Sequence, residues 1–317
     1  MARDAAHGSH AGRGMDDRAP SSRTPRSESV PGTAHATSYG EAMSDFTAIL
    51  FQRQESIAHI VLNRPQRLNA LDKTALHEII GAMDRAEADD TVRAIVLSGA
   101  GRAFSSGFDL KAQMEARPQG AKAWREILDL DFDATMRFWS SRKPTIAAVH
   151  GACMAGAFEI ALSCDITVAS EDAIFGEPEL KFGAGIVTML LPWITGPKQA
   201  KDIILTGADR IGAQDALRMG IVSRVVPPGT HVEIALRIAR GIALMDPVVV
   251  AETKKALNRT YEIQGMHAAL KAALDTDHSI ESHGSPDKRA FMDIARQRGM
   301  RAAIEWRDAR FAQADKE

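Results

Sequence analysis

Between residues 57 and 226, short uninterrupted apolar runs alternate with segments in which apolar side chains return every three or four positions. The first run, Ile57-Ala58-His59-Ile60-Val61-Leu62, has the length and β-branched content of a strand, and Asn63-Arg64-Pro65 ends it. Asp72 then reads as an N-cap, with Leu76, Ile79, Ile80 and Met83 at helical spacing up to the acidic stop Asp89-Asp90. Three further strands of the buried type are predicted at Ala94–Ser98, Thr145–His150 and Ile166–Ala169. Beyond Gly196 helices dominate, at 197–205, 213–219, 232–244 and from Pro247 through Tyr261 onward, with one more strand at Val222–Val226. Residues 286–311 read as a helix packing one face on the core or on a neighbouring subunit. Strands interleaved with helices, followed by a mostly helical tail, define an α/β core with an α-helical C-terminal region.

The first forty-two residues break this pattern. They are rich in Ala, Arg, Ser, Gly, Pro and His and nearly devoid of large apolar side chains, so they are expected to form a disordered tail. That tail has no apolar stretch of the secretory type, and Asp4, Asp16, Asp17 and Glu28 argue against an organellar transit segment. The expected organisation is a tail at 1–42, an α/β core at 43–245 and a helical region at 246–317.

The chain has 317 residues, with 39 Lys and Arg against 41 Asp and Glu and a formal net charge of -2, which speaks against a nucleic-acid partner held by charge. Cys153 and Cys164 are too few for a disulfide framework and read as core residues of a protein in a reducing compartment, hence cytoplasmic. The longest apolar candidate, Gly185–Trp193, is interrupted by Pro192 and far too short for a membrane span, so no membrane partner is expected.

Phosphate-binding P-loops, G-x-S-x-G elbows, H-E-x-x-H pairs and a complete dinucleotide fingerprint are all missing, which leaves ATP, NAD and a catalytic metal without support. Two glycine-containing strand-to-helix junctions remain, Phe104–Leu110 and Gly151–Glu159. Free N–H groups at such turns point at any negative oxygen that arrives, and two junctions could supply one oxyanion hole, although ordinary βα turns look the same. Glu159 changes the balance. It stands inside Ala157-Phe158-Glu159-Ile160-Ala161-Leu162, and its helical neighbours Ala155, Gly156 and Ser163 are small enough to leave a cleft in which desolvation would raise its pKa. Twenty residues on, Phe175-Gly176-Glu177-Pro178-Glu179 offers further acid. Two carboxylates beside an oxyanion hole suggest proton chemistry next to a carbonyl.

At this level the chain resembles the crotonase, or enoyl-CoA hydratase/isomerase, superfamily across nearly all of residues 45–311. The matching pieces occur in family order: Asn63-Arg64-Pro65 with Leu68-Asn69-Ala70-Leu71, then Phe104–Leu110, Lys143–Gly151, Cys164-Asp165-Ile166, Phe175–Glu179, Leu205-Thr206-Gly207, Gly220–Val226 and Trp306–Phe311. Each piece is weak, and the ordered set is highly specific. The resemblance implies a crotonase-like spiral of ββα units, with the helical region at 246–317 serving trimerisation as a homotrimer or a dimer of trimers. It puts the oxyanion hole at the N–H groups of Phe108 and Gly156. Glu159 and Glu179 fall on the two catalytic glutamates, the first activating water for attack at C3 and the second protonating C2. Leu68, Ala70, Phe108, Asp109, Leu110, Lys111 and Gly156 fall on the substrate side of the cleft, where coenzyme A enters as part of the substrate and no separate cofactor is implied. Asp109 reads as an N-cap, and Glu177 is demoted to a neighbour. The segment after Glu179 departs from the family pattern, which predicts a more apolar acyl pocket around Phe158, Met189 and Trp193. The implied activity is an enoyl-CoA hydratase acting on an acyl-CoA thioester. An isomerase or dehydratase of the same family, and a non-catalytic acyl-CoA-binding protein, stand as alternatives.

Overall fold

The computed structural model describes residues 45–312, so the tail expected at 1–42 lies outside the described residues. Among the described residues nine strands form two sheets: β1 (Ile49–Gln54), β2 (Ile57–Leu62), β3 (Ala94–Gly99), β4 (Thr145–Val149), β5 (Ala152–Met154), β6 (Ile166–Ser170), β7 (Ile174–Gly176), β8 (Ile211–Gly212) and β9 (Arg224–Val226). The larger sheet runs β1-β2-β3-β4-β6-β9, antiparallel only at the β1/β2 hairpin. The smaller runs β5-β7-β8, with β5 and β7 parallel through Ala152↔Ile174, Cys153↔Phe175 and Met154↔Gly176.

Helices cover both faces of the large sheet, which is why its strands read as unbroken apolar runs. On one face lie α1 (Lys73–Ala88), α3 (Gly120–Ser140) and α4 (Gly156–Ser163), which join Ala58, Ile60, Ile95, Leu97, Ala147 and Val149 in the main core, while α2 (Leu110–Ala116) packs Leu110 and Met114 against the C-terminal cluster of Phe182, Phe291 and Met292. Asp72 caps α1 by accepting the Ala75 N–H at 2.9 Å. The chain then runs through α5 (Leu191–Ile194), α6 (Pro197–Thr206), α7 (Ala213–Arg218) and α8 (His231–Ala243). Ala235, Leu236 and Ala239 of α8 cover the other face, meeting the alternate residues Ile57, Ala94, Val96, Ile146, Ala148 and Val168. Cys153 and Cys164 are buried free thiols, as read from the sequence.

From Pro247 to Phe311 the chain is helical: α9 (Pro247–Ile263), α10 (Met266–His283), α11 (Pro286–Arg298) and α12 (Met300–Phe311). The single helix expected over 286–311 is two, because Gly299 takes φ +88° between them. Ser285 caps α11 by accepting the Lys288 N–H at 2.9 Å and donates to the Gly183 carbonyl at 2.8 Å, which ties the helix to the turn after β7. α10 lies along α3, so this region walls the site as well as extending from the core. No helix among the described residues is long and apolar enough to cross a membrane.

Candidate active site

The two glycine-containing junctions meet. After β3 the chain returns beside β5, with Ser105 N–H donating to Ala152 O at 3.0 Å and Met154 N–H to Ser105 O at 3.2 Å. Leu71 then bridges Phe108 in parallel fashion: Leu71 N–H donates to Gly107 O at 2.8 Å and Asp109 N–H to Leu71 O at 2.9 Å. A parallel bridge of this kind uses the Gly107 carbonyl and the Asp109 N–H on either side of Phe108 and leaves the Phe108 N–H directed away. Gly156 is the first residue of α4, so its N–H is one of the amides that a helix leaves without an internal partner. Among the described residues neither amide has a hydrogen-bond acceptor.

Close packing explains the glycines. Gly107 has φ +86°, and a Cβ there would lie 2.6 Å from the Met154 carbonyl oxygen and 3.4 Å from the Gly156 nitrogen. A Cβ on Gly156 would lie 2.3 Å from ring carbons of Phe108. Between them Ala155 is held at φ +57°, ψ −135°, its N–H donating to Gly176 O at 2.8 Å. A non-glycine residue there stores on the order of 1–3 kcal/mol of strain, and the strand β7 that holds it also aims the start of α4.

The carboxylates come from the same two strands. Glu159 stands in the first turns of α4, five residues past β5, and is 1% exposed. Its Oε1 accepts the Thr188 N–H at 3.1 Å, and its Oε2 has no partner. Glu179 opens a short 3-10 turn, Glu179–Phe182, three residues past β7, and its Oε2 is likewise unpartnered. Burial, then the Glu179 charge, pushes Glu159 up to about 8. Burial pushes Glu179 up to about 7, against a hydrogen bond from Glu177 that pulls it down. Glu177, 1% exposed, is raised well above the carboxylate range by burial and by both neighbours, so it holds its proton beside Glu179. The residue that sequence reasoning demoted is thus in contact with Glu179.

A cavity of about 560 Å³ opens onto this corner. Leu68, Ala70, Phe108, Asp109, Leu110 and Lys111 line it, together with Glu179, whereas Gly156 and Glu159 are buried behind that surface. Asp109 caps α2, accepting from Lys111 and Ala112 N–H at 3.1 and 3.0 Å. Lys111 is half exposed and 3.9 Å from Glu115. The rim is stitched by Asn69, which donates to the carbonyls of Ala100, Ala103 and Phe104 at 2.8 to 3.1 Å. Arg64 adds ion pairs to Asp72 at 2.9 Å and Asp109 at 3.2 Å.

The expected apolar pocket around Phe158, Met189 and Trp193 is not what forms. Phe158 is fully buried against Phe175, ring centroids 5.4 Å apart; Met189 borders a separate shallow depression; Trp193 packs on the main core. Apolar side chains near the departing segment went into the core, where burial is worth most. The cavity is walled instead by α3, α10 and α11, through Trp124, Leu128, Asp131, Asp277, Glu281 and Lys288. The sequence does carry a signal for these. Asp131 lies on the apolar stripe of α3 with Leu128, Phe132 and Thr135, and Asp277 and Glu281 continue the stripe Leu270, Leu274 of α10.

Asp131, Glu159, Glu177, Glu179 and Asp277 are all raised, chiefly by burial. Each binds its proton more tightly folded than unfolded. Their contribution to stability is full below the ordinary carboxylate range, about pH 4, and is lost as pH rises through the raised values. The melting temperature of the free protein is therefore expected to fall from about pH 5 to about pH 9, with a shallower slope in Glu159→Gln. A flat or rising profile, or an unchanged slope in the variant, contradicts this.

An α/β fold that places a buried pair of proton-holding carboxyls beside two unpartnered amides defines a class of enzyme-like sites, and comparison with known proteins narrows it. Residues 52–314 match the enoyl-CoA hydratase/isomerase family. A crystal structure of an enoyl-CoA hydratase/isomerase from Xanthobacter autotrophicus Py2 superposes with a TM-score of 0.83 at 61% identity, covering 84% of this chain and 98% of that one. The short-chain-enoyl-CoA hydratase of Clostridium acetobutylicum is 36% identical over 71% of this chain and 85% of its own length. The mitochondrial enoyl-CoA hydratase of Pongo abelii is 34% identical over 82% of this chain and 84% of its own length. The chain belongs to the enoyl-CoA hydratase/isomerase family, within the crotonase superfamily, and has its fold.

Proposed function

We propose that this protein adds water syn across the C2–C3 double bond of a 2-enoyl-CoA thioester. The observation that carries the reading is the joint placement of Glu159 and Glu179, with raised proton affinities, on turns that follow adjacent strands beside the free amides of Phe108 and Gly156. The thioester oxygen accepts from the two amides, which stabilise the enolate-like charge that builds on it; such donors are worth roughly 3–4 kcal/mol each in comparable sites. Glu159 takes a proton from water as the oxygen attacks C3, and Glu179 delivers a proton to C2. Because the two raised carboxyls are coupled, the pair holds one proton near neutrality, and water meets the pair with Glu159 ionised when that proton resides on Glu179. The coenzyme A moiety lies along Leu68, Ala70 and the segment from Phe108 to Lys111, and no further cofactor takes part. Isomerisation of the double bond needs a single acid, so the retention of both acids favours hydration.

The test is loss of the ultraviolet absorbance of the conjugated thioester when crotonyl-CoA and longer 2-enoyl-CoAs are added. Turnover supports the reading, and binding without turnover across the series overturns it. Assembly as a homotrimer or dimer of trimers through the C-terminal helices, in the cytoplasm, belongs to the same proposal. It is supported by apolar side chains left in solvent on and beside α9: Leu244, Val248, Val249, Leu257 and Ile263 are 61 to 90% exposed. Leu257→Asp is expected to lower the mass measured by light scattering to that of a monomer, and an unchanged mass would remove this face from the interface.

A further inference from the structure

The far wall of the cavity carries charge that the hydration chemistry does not use. Asp131 on α3 and Asp277 on α10 are 5% and 2% exposed, both line the cavity, and Asp277 Oδ1 has no hydrogen-bond partner. No side-chain hydrogen bond to the Asp131 carboxyl occurs among the described residues; only its backbone carbonyl accepts, from Thr135. Glu281 differs, because Lys288 of α11 forms an ion pair with it and also lies 4.6 Å above the Trp124 ring. The groups that face the two aspartates are Glu159 from α4, Glu179 from the turn after β7, Glu281 from α10 and Lys288 from α11. One cation, already committed to Glu281, stands among five carboxyls.

Buried carboxyls without partners are costly, and an apolar acyl chain would leave them so. An isolated acidic cluster can be a solvated surface feature, but here two nearly buried carboxyls line the cavity, and that of Asp131 has no hydrogen-bond partner among the described residues. Gly185 packs against Asp277 from one side, since a Cβ there would lie 2.0 Å from Oδ1, so that oxygen is covered and fixed by the backbone.

We propose that Asp131 and Asp277 form a subsite for a cationic head group, an ammonium carried at the distal end of the acyl chain of the thioester. This rests on the reading of the cavity as an acyl-CoA site and names the class of acyl group it takes.

The experiment compares two saturated thioesters that differ only in charge, 6-(trimethylammonio)hexanoyl-CoA and its neutral carbon isostere 7,7-dimethyloctanoyl-CoA, with shorter and longer homologues of each pair. Binding to the full chain is measured by titration calorimetry. At the best length the cation is expected to bind at least tenfold tighter and to release protons, because it draws the raised aspartates into their ionised form. The preference is expected to collapse toward unity in Asp277→Asn and in Asp131→Asn, each checked by thermal melting; if one variant does not fold, the other carries the test. Equal or weaker binding of the cation at every length, or a preference unchanged in a folded variant, overturns the subsite. Because saturated thioesters are not turned over, the outcome separates from that of the hydration assay. Turnover of crotonyl-CoA with no preference for the cation sinks the subsite alone, and a strong preference without turnover of any enoyl-CoA sinks the hydratase reading alone.

Discussion

Glu159→Gln and Glu179→Gln are each expected to lower kcat for hydration of a 2-enoyl-CoA by roughly 10²–10⁴-fold, with a much smaller change in KM. Both substitutions keep the volume and the hydrogen-bonding reach of the side chain in places that are 1% and 7% exposed, so the loss reports proton transfer rather than packing. The double variant is expected to be little worse than the poorer single one, since the two groups act in one step. The pH profile adds a separate check. Glu179 is among the causes that raise Glu159, so Glu179→Gln is expected to move the remaining ionisation of Glu159 downward. Activity within threefold of wild type in either variant would remove that residue from the mechanism.

A single methyl group at position 156 is expected to have an effect of similar size. Its carbon would sit 2.3 Å from the Phe108 ring, far inside van der Waals contact, so the ring of the residue that carries the second donor must shift. Gly156→Ala therefore disturbs both donors at once, and a loss of about 10²–10³-fold in kcat is expected, the range for removing one oxyanion donor. The carboxyls are not touched, so the pH dependence of the residual activity should match wild type. Retention of full activity would show that the thioester oxygen is held elsewhere.

How much of this was legible in the sequence depends on how local each feature is. The central strands could be read because both faces are buried, on α1, α3 and α4 on one side and on α8 on the other, which makes their apolar runs continuous. β1 escaped notice because only Ile49, Leu50 and Phe51 are apolar before Gln52-Arg53-Gln54, and its pairing with β2 supplies the rest. β5, β7 and β8 are two or three residues long and exist through their mutual pairing, which no window of sequence records. The spacing of Glu159 and Glu179 was visible once the ordered motifs were recognised. The contact of Glu177 with Glu179 and the approach of Asp131 to Asp277 were not. The second joins residues far apart in the chain through the packing of α10 on α3, and their signature, carboxylates on otherwise apolar helix stripes, resembles a surface position until the partner helix is known.

The short ladder between β5 and β7 works as a ruler. Three residue pairs fix Met154 opposite Gly176, and the chain reaches Glu159 and Glu179 a few residues beyond. A slip of one pair would displace one carboxylate by about 3.3 Å, more than a proton transfer tolerates. Insertions are thereby forbidden between residues 154 and 159 and between 176 and 179, while α3, α10 and α11 lie off the ladder and can drift. On the proposed reading, reaction and recognition are inscribed on different parts of the chain, so a lineage built on this scaffold could exchange its acyl group many times over without reinventing its chemistry.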